Sequence, residues 1–338
     1  MLREIKKVLV IKLRDIGDIV LSTPVLKILY KNCNAPEIVY VVKKEYGDFK
    51  YLLPYVSEVI TYDKSNPFDF LRVVFKLRKY RFDLAVNLHA TFRSALITLL
   101  SGAKLWLVHN HSGKNYFTSL PLNIEEKQKS IIERDVDTLS PLIDVKNIGE
   151  ELKKTQLILK YEFSKLFDEE EFLNTIGFGI GAKRKEKIWD KKKFIELGWK
   201  LKEKNFKIAI FCAENERKDG EFIANALGKD TKLFVGLDFV RLAYFLKKLV
   251  LFIGNDSGLR HIAAALGIKT ITLFGPENPV EWHPYKESDG HFSISHLEDL
   301  KNEGYNVLSR EFREKSKIAI ERITVDEVYE ITKKVLRI

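Results

Sequence analysis

The stretch that most constrains this chain is 252–267, Phe-Ile-Gly-Asn-Asp-Ser-Gly-Leu-Arg-His-Ile-Ala-Ala-Ala-Leu-Gly. The apolar run 250–253 reads as a buried strand, Asn255 to Gly258 as a tight turn, and the small apolar run 262–266 as a helix stopped by Gly267. Such an abrupt passage leaves the N–H groups of the first helical turn unpaired at the carboxyl end of a sheet, a ready site for a phosphate. Gly258 lets an oxygen approach the backbone closely. Asp256 can hold sugar hydroxyls, and His261 sits where its ring can reach a phosphate oxygen. A plain capped helix explains the same residues, because Asp and Ser are common caps.

The alternation of strand and helix runs through the chain twice. In the first half, strands are expected at 8–13, 38–42, 56–61, 83–88 and 105–108, with helices near 19–31, 68–79 and 91–100. This predicts a parallel sheet covered on both faces. Asp18, in the turn after the first strand, stands where open α/β sheets carry functional groups, although a helix cap accounts for it equally. That turn has Gly17 alone, so no dinucleotide fingerprint is present. His89 and Arg93, with Asn87 and Thr91, gather past the fourth strand. A guanidinium there suits a phosphate or carboxylate, or is simply a surface arginine. The loop with His109, Asn110, His111 and Lys114 offers a second acceptor contact, and a helix with charged faces is expected over 125–142. The pattern restarts between 144 and 154, which sets domains of 1–150 and 151–338.

In the second half, strands are expected at 176–180, 208–212, 233–235, 250–253 and 270–274. The basic loop 183–187 follows the first of them, where one lysine can neutralise a pyrophosphate, although a lysine run is ordinarily just solvated. Glu216 opens a helix; it can accept ribose hydroxyls or merely face the helix dipole. Residues 291–315 suggest no role.

With 338 residues, 45% of them hydrophobic, and 9 Pro, the chain suits two domains of ordinary size. The net charge of +10 is uneven: residues 1–120 hold 19 Lys+Arg against 10 Asp+Glu, and the remainder 38 against 37. A basic first half suits an acidic partner, whether nucleic acid, an anionic membrane face or a phosphorylated substrate, and is otherwise only a solvated surface. The aromatic residues are scattered through apolar runs instead of forming a basic-aromatic stripe, so no specific nucleic-acid partner is expected. No apolar run reaches the roughly 18–20 residues of a membrane span. Cys33 and Cys212 lack metal-ligand spacing and fit a reducing, cytoplasmic compartment. Neither a cofactor nor a metal site is expected.

Four separated motifs, in order, resemble glycosyltransferase family 9, the ADP-heptose:lipopolysaccharide heptosyltransferases. They are the opening 8–26 with its Gly17-Asp18 turn, 82–89 with Arg93-Ser-Ala-Leu, the pair 254–267 and Leu273-Phe-Gly-Pro, and Ile323-Thr-Val-Asp-Glu-Val near the end. The resemblance implies a GT-B architecture, two doubly wound Rossmann-like domains facing across a cleft. The first domain would hold the acceptor and the second the nucleotide sugar, with a terminal helix. Asp18 falls on the family's proposed general base, Lys187 on its donor-binding lysine and Glu216 on its ribose-binding glutamate. Asp256 would hold the transferred sugar, and the amides of Ser257, Gly258 and Leu259 with the ring of His261 would take the diphosphate. Arg14, His89 and Arg93 are the acceptor-binding candidates. Ala182 and Lys183 depart from the hydroxyl residues common in relatives.

The implied activity is inverting transfer of a sugar, heptose in the nearest case, from ADP-heptose to a lipopolysaccharide core or related lipid-linked, anionic acceptor, without a metal. It implies a cytoplasmic protein with peripheral contact at the inner face of the cytoplasmic membrane. Another nucleotide sugar, or a non-catalytic protein that binds a nucleotide or nucleic acid, is the alternative.

Overall fold

The strands arise where β-branched and aromatic residues run almost without interruption. In the computed structural model, which describes residues 2–89, 91–109, 118–120, 128–160 and 172–338, Lys7–Ile11 (β1), Glu37–Lys43 (β2), Glu58–Tyr62 (β3), Leu84–Asn87 (β4) and Leu105–Val108 (β5) form one sheet in the order β3-β2-β1-β4-β5. Every pairing is parallel. Its inner strands are buried on both faces, the condition that removes polar alternation from their sequences.

A second sheet contains Thr175–Gly179 (β6), Lys207–Cys212 (β7), Lys232–Val235 (β8), Leu251–Asn255 (β9), Thr270–Leu273 (β10) and His291–Ile294 (β11). Its order is β11-β10-β9-β6-β7-β8, again parallel throughout. Both sheets therefore start at a central strand, wind outward to one edge and return to the other side of that strand. This is the doubly wound order, with its switch point between β1 and β4 in one sheet and between β6 and β9 in the other. The sheets belong to two compact units, Met1–Ile158 and Leu159–Ile338. The division expected at 150 falls eight residues later in sequence numbering, at Ile158, because the intervening segment binds the first unit: Gln156 N donates to Thr23 Oγ1 at 3.1 Å and Ile158 N to the Leu52 carbonyl at 2.9 Å.

Several elements differ from the sequence reading. The helix expected over 19–31 is two helices, Ile16–Leu21 and Thr23–Asn32. Ser22 separates them and its hydroxyl bonds the Ile19 carbonyl at 2.7 Å and Tyr40 OH at 2.6 Å. Pro24, which lacks an N–H, fits the first turn of the second helix. The helix expected over 125–142 is shorter, Ile131–Asp137, opened by a capping box of Ser130 and Glu133. β11 was not foreseen. The final helix, Val325–Leu336, has a capping box of Thr324 and Glu327, and the indole of the buried Trp189 donates to the Ile323 carbonyl at 2.9 Å just before it. Asn110, His111 and Lys114 lie outside the described residues.

Candidate functional site

In the second unit the candidate residues converge on the switch point between β6 and β9. Asn255 ends β9 fully buried; its amide donates to the Ile180 carbonyl at 2.7 Å and its Oδ1 accepts from Trp189 N at 3.0 Å. These bonds tie the loop after β6 to the end of β9 and so fix the position of Lys187. Lys187 Nζ lies 2.6 Å from Asp256 Oδ2. The other oxygen, Oδ1, is taken by Arg260 Nη2 at 2.6 Å. Burial works to raise the Asp256 carboxyl, but the Arg260 and Lys187 cations outweigh it and hold the group well below the usual carboxylate range. Glu277 pairs with Arg184 and stands 3.9 Å from Lys187. Gly275 allows the loop after β10 to pass this close, since a Cβ there would lie 2.5 Å from the Glu186 carbonyl oxygen.

The helix after β9 runs Gly258–Ala265, earlier than the apolar run alone suggested, with Ser257 at its N-cap. The Ser257 side chain makes no capping bond, so the opening amides lack the partner that a capped helix would supply. The bland reading of this turn as a side-chain-capped helix is thus not met. His261 is buried within the helix, its Nδ1 2.6 Å from Tyr285 OH. Burial, followed by the nearby Arg260 cation, keeps its ring well below the ordinary histidine value and therefore neutral.

Glu216 ends the turn Glu214–Glu216 beyond β7. Its Oε2 accepts from Ala213 N at 2.9 Å, and its carboxylate lies so close over Gly181 that a Cβ there would meet it at 1.9 Å. A glycine after β6 is what lets this acid lean over the sheet end. Among the described residues, no group of three or more His, Cys, Asp or Glu gathers as a metal would need.

The first unit builds a separate cluster at the ends of β1 and β4. Asp18 is in the first turn of Ile16–Leu21, but the N-cap is Asp15, so Asp18 is not the cap. It is 8% exposed, with Oδ1 buried and without a hydrogen-bond partner and Arg14 Nη1 at 3.7 Å. Beneath it Lys12 and Asp135 form a buried ion pair, 2.7 Å apart. His89 follows β4, its amide donating to Asn87 Oδ1 at 2.9 Å. Burial, and then Arg14 and Lys12, push its ring down to about 3. Arg14, Asp18 and His89 thus come together. Arg93 instead turns its guanidinium to Tyr62 OH, 3.3 Å away at the end of β3.

The sequence reading missed Lys12, Asp135, Asn255, Arg260 and Tyr285. A lysine closing a fully apolar strand run was a signal for the first. Arg260, between the apolar Leu259 and the helix interior, was another.

Two parallel doubly wound sheets, each with polar groups gathered at its switch point, define an α/β protein of the GT-B fold class. The model of glycosyltransferase family 9 (heptosyltransferase) matches residues 70–309, and the chain belongs to that family. It is 26% identical over 298 residues to lipopolysaccharide heptosyltransferase 3 of Escherichia coli (strain K12), covering 80% of this chain and 83% of that one. It is 23% identical over 345 residues to lipopolysaccharide heptosyltransferase 1 of Campylobacter coli, covering 97% and 98%. Among solved structures, that of E. coli ADP-heptose lps heptosyltransferase II superimposes with a TM-score of 0.79 at 20% identity, covering 98% of each chain. The expected GT-B class and family are therefore borne out, and family membership makes the chain a glycosyltransferase.

Proposed function

We propose that this enzyme transfers heptose from ADP-heptose to a lipopolysaccharide core or related lipid-linked acceptor, with inversion and without a metal. The observation that carries the donor side is the Lys187–Asp256 pair beside the uncapped start of the helix Gly258–Ala265, at the switch point of the second sheet. A diphosphate there meets the Lys187 ammonium, the amides of Ser257, Gly258 and Leu259, and the His261 ring. Glu216, leaning over Gly181, takes the ribose hydroxyls, and Asp256 the transferred sugar. The names of the relatives supply the heptose and the lipopolysaccharide; ADP comes from the name of the solved structure.

On the acceptor side, Asp18 takes the proton of an acceptor hydroxyl as that oxygen attacks the anomeric carbon. The bond from that carbon to the phosphate oxygen breaks, and ADP leaves with the bonding pair. Attack opposite the leaving group inverts the anomeric centre. Lys187 and the helix amides offset the charge gained by ADP, so the step needs no metal ion. Arg14 and His89, gathered with Asp18, bind the anionic acceptor; Arg93, turned to Tyr62 OH, is not gathered with them.

Contact with the membrane face fits the helix Asp69–Arg78. Phe68, Leu71 and Phe75 are 77%, 52% and 64% exposed and share its outer side with Arg72, Arg78 and Lys79. Core packing does not account for these three. Among the described residues no helix is long and apolar enough to cross a membrane.

The test is calorimetry of ADP, UDP, GDP and CMP against the full chain, with and without EDTA, and with Glu216→Ala alongside. ADP is expected to bind best, to weaken when Glu216 is lost and to be indifferent to EDTA. Preference for another nucleotide would change the donor, and binding to none would overturn the donor site.

A further inference from the structure

Arg260 has no part in the chemistry described so far, yet it is the most enclosed cation of the second unit's site, 1% exposed. Its Nε and Nη2 donate to Asp256 Oδ1 at 3.1 and 2.6 Å, and Nη2 also donates to the Trp282 carbonyl at 2.9 Å. The guanidinium carbon stands 5.0 Å from the centre of the Phe274 ring, and Nη1 is buried with no hydrogen-bond partner among the described residues. Lys187 approaches the same carboxylate through the other oxygen. One negative charge is thus shared by two cations, of which Arg260 is sealed in and Lys187 is partly open, at 17% side-chain exposure.

The charge balance of this triad decides what Lys187 can do. Paired with Asp256 alone, the lysine would be neutralised, and an incoming diphosphate would meet a buried carboxylate with no net attraction to offset it. With Arg260 behind, the triad keeps one net positive charge, and two of the three N–H groups of the ammonium remain for a ligand. We propose that Arg260 is a positioning residue that neutralises Asp256 from behind, so that the Lys187 ammonium keeps its charge for the donor diphosphate. This rests on the nucleotide-diphosphate reading above.

The experiment compares binding of ADP and of adenosine to the full chain by calorimetry, for the wild type, R260Q, R260K, D256N and R260Q/D256N. R260Q should weaken ADP by about tenfold or more, the scale of a lost charge-assisted contact, while adenosine is unchanged. Adding D256N to R260Q should return ADP affinity to near the wild-type value, because Asp256 then no longer neutralises Lys187 and Glu277, 3.9 Å away, is itself paired with Arg184. R260K, which keeps the charge, should stay close to wild type. A purely structural role would weaken ADP and adenosine together and would not be rescued by D256N; either result overturns the proposal. Thermal melting identifies a variant that does not fold. If R260Q is one, D256N alone decides: retained or tightened ADP affinity supports the proposal, and a loss of about tenfold or more refutes it. If the wild type binds no ADP, the donor reading itself fails, and this proposal with it.

Discussion

His261 Nδ1 and the hydroxyl of Tyr285 lie 2.6 Å apart, across the first turn of the helix that follows β9. A neutral imidazole has one donor and one acceptor nitrogen, so a tyrosine O–H donating to Nδ1 would put the ring proton on Nε2. That proton is then available to a phosphate oxygen. Tyr285→Phe should weaken ADP by about three- to tenfold, the scale of one neutral hydrogen bond, with little effect on melting temperature. Titration of the variant with ADP checks this; unchanged affinity would remove the ring from the diphosphate site.

Burial keeps several histidines neutral in the folded chain. His89 and His283 are both pushed down to about 3, by burial first and then by Arg14 and Arg260 respectively, and His261 is lowered in the same direction. In the unfolded chain each takes up a proton near pH 6.5, so the unfolded state binds more protons below that value. Stability from these groups is present above about pH 6.5 and is lost as the pH falls towards 3, by about 1.4 kcal/mol per histidine per unit. Asp135, which burial raises to about 6 against the pull of Lys12, works in the opposite sense, its share being lost as the pH rises to about 6. Urea unfolding at pH 7 and pH 5 should show lower stability at pH 5, with a smaller drop in His283→Asn. A flat profile would contradict the neutral, buried state of these rings.

The Lys12–Asp135 pair beneath Asp18 is another buried commitment. Asp135→Ala leaves a lysine with no counter-charge in the interior and should cost about 3–5 kcal/mol. Replacing both partners, Lys12→Met with Asp135→Leu, should cost far less. Denaturant unfolding of the single and double variants measures this coupling, and equal losses in both would argue against a paired interior.

The exposed stripe of Phe68, Leu71 and Phe75 should carry membrane contact. Co-sedimentation with vesicles of phosphatidylglycerol and phosphatidylcholine should recover the wild-type chain and not a Phe68→Ser, Leu71→Ser, Phe75→Ser variant, and vesicles of phosphatidylcholine alone should recover less of the wild type. Equal recovery of the variant would move the contact elsewhere. Self-association of the wild type that the variant lacks would make the stripe an interface between copies.

Much of this architecture was legible because parallel strands buried on both faces leave an unmixed apolar signature, as in Lys7–Ile11 and Leu251–Asn255. The strand-to-helix turns at Asp18 and Asp256 were legible for the same reason. β11, His291–Ile294, was not: it is short, mixes His and Ser with apolar residues, and owes its place to pairing with β10. The break at Ser22 depends on its bond to Tyr40, which only the folded sheet brings near. Asp135 escaped notice because an ion pair between distant residues, here 123 positions apart, leaves no periodic trace in either sequence neighbourhood; Arg260 stands only four residues from Asp256, a helical spacing that the sequence does carry. Lys187 and Asp256 could be named as separate candidates, but that Lys187 shares the Asp256 carboxylate with Arg260 could not.

The most direct test of the central claim is turnover of ADP-heptose with a lipopolysaccharide-core acceptor by the wild type and Asp18→Ala, with ADP affinity measured in parallel. The wild type should release ADP and form an inverted glycoside. Asp18→Ala should lose roughly 100- to 10,000-fold in turnover while binding ADP as before. Near-normal turnover in the variant, or no transfer by the wild type, would contradict this account.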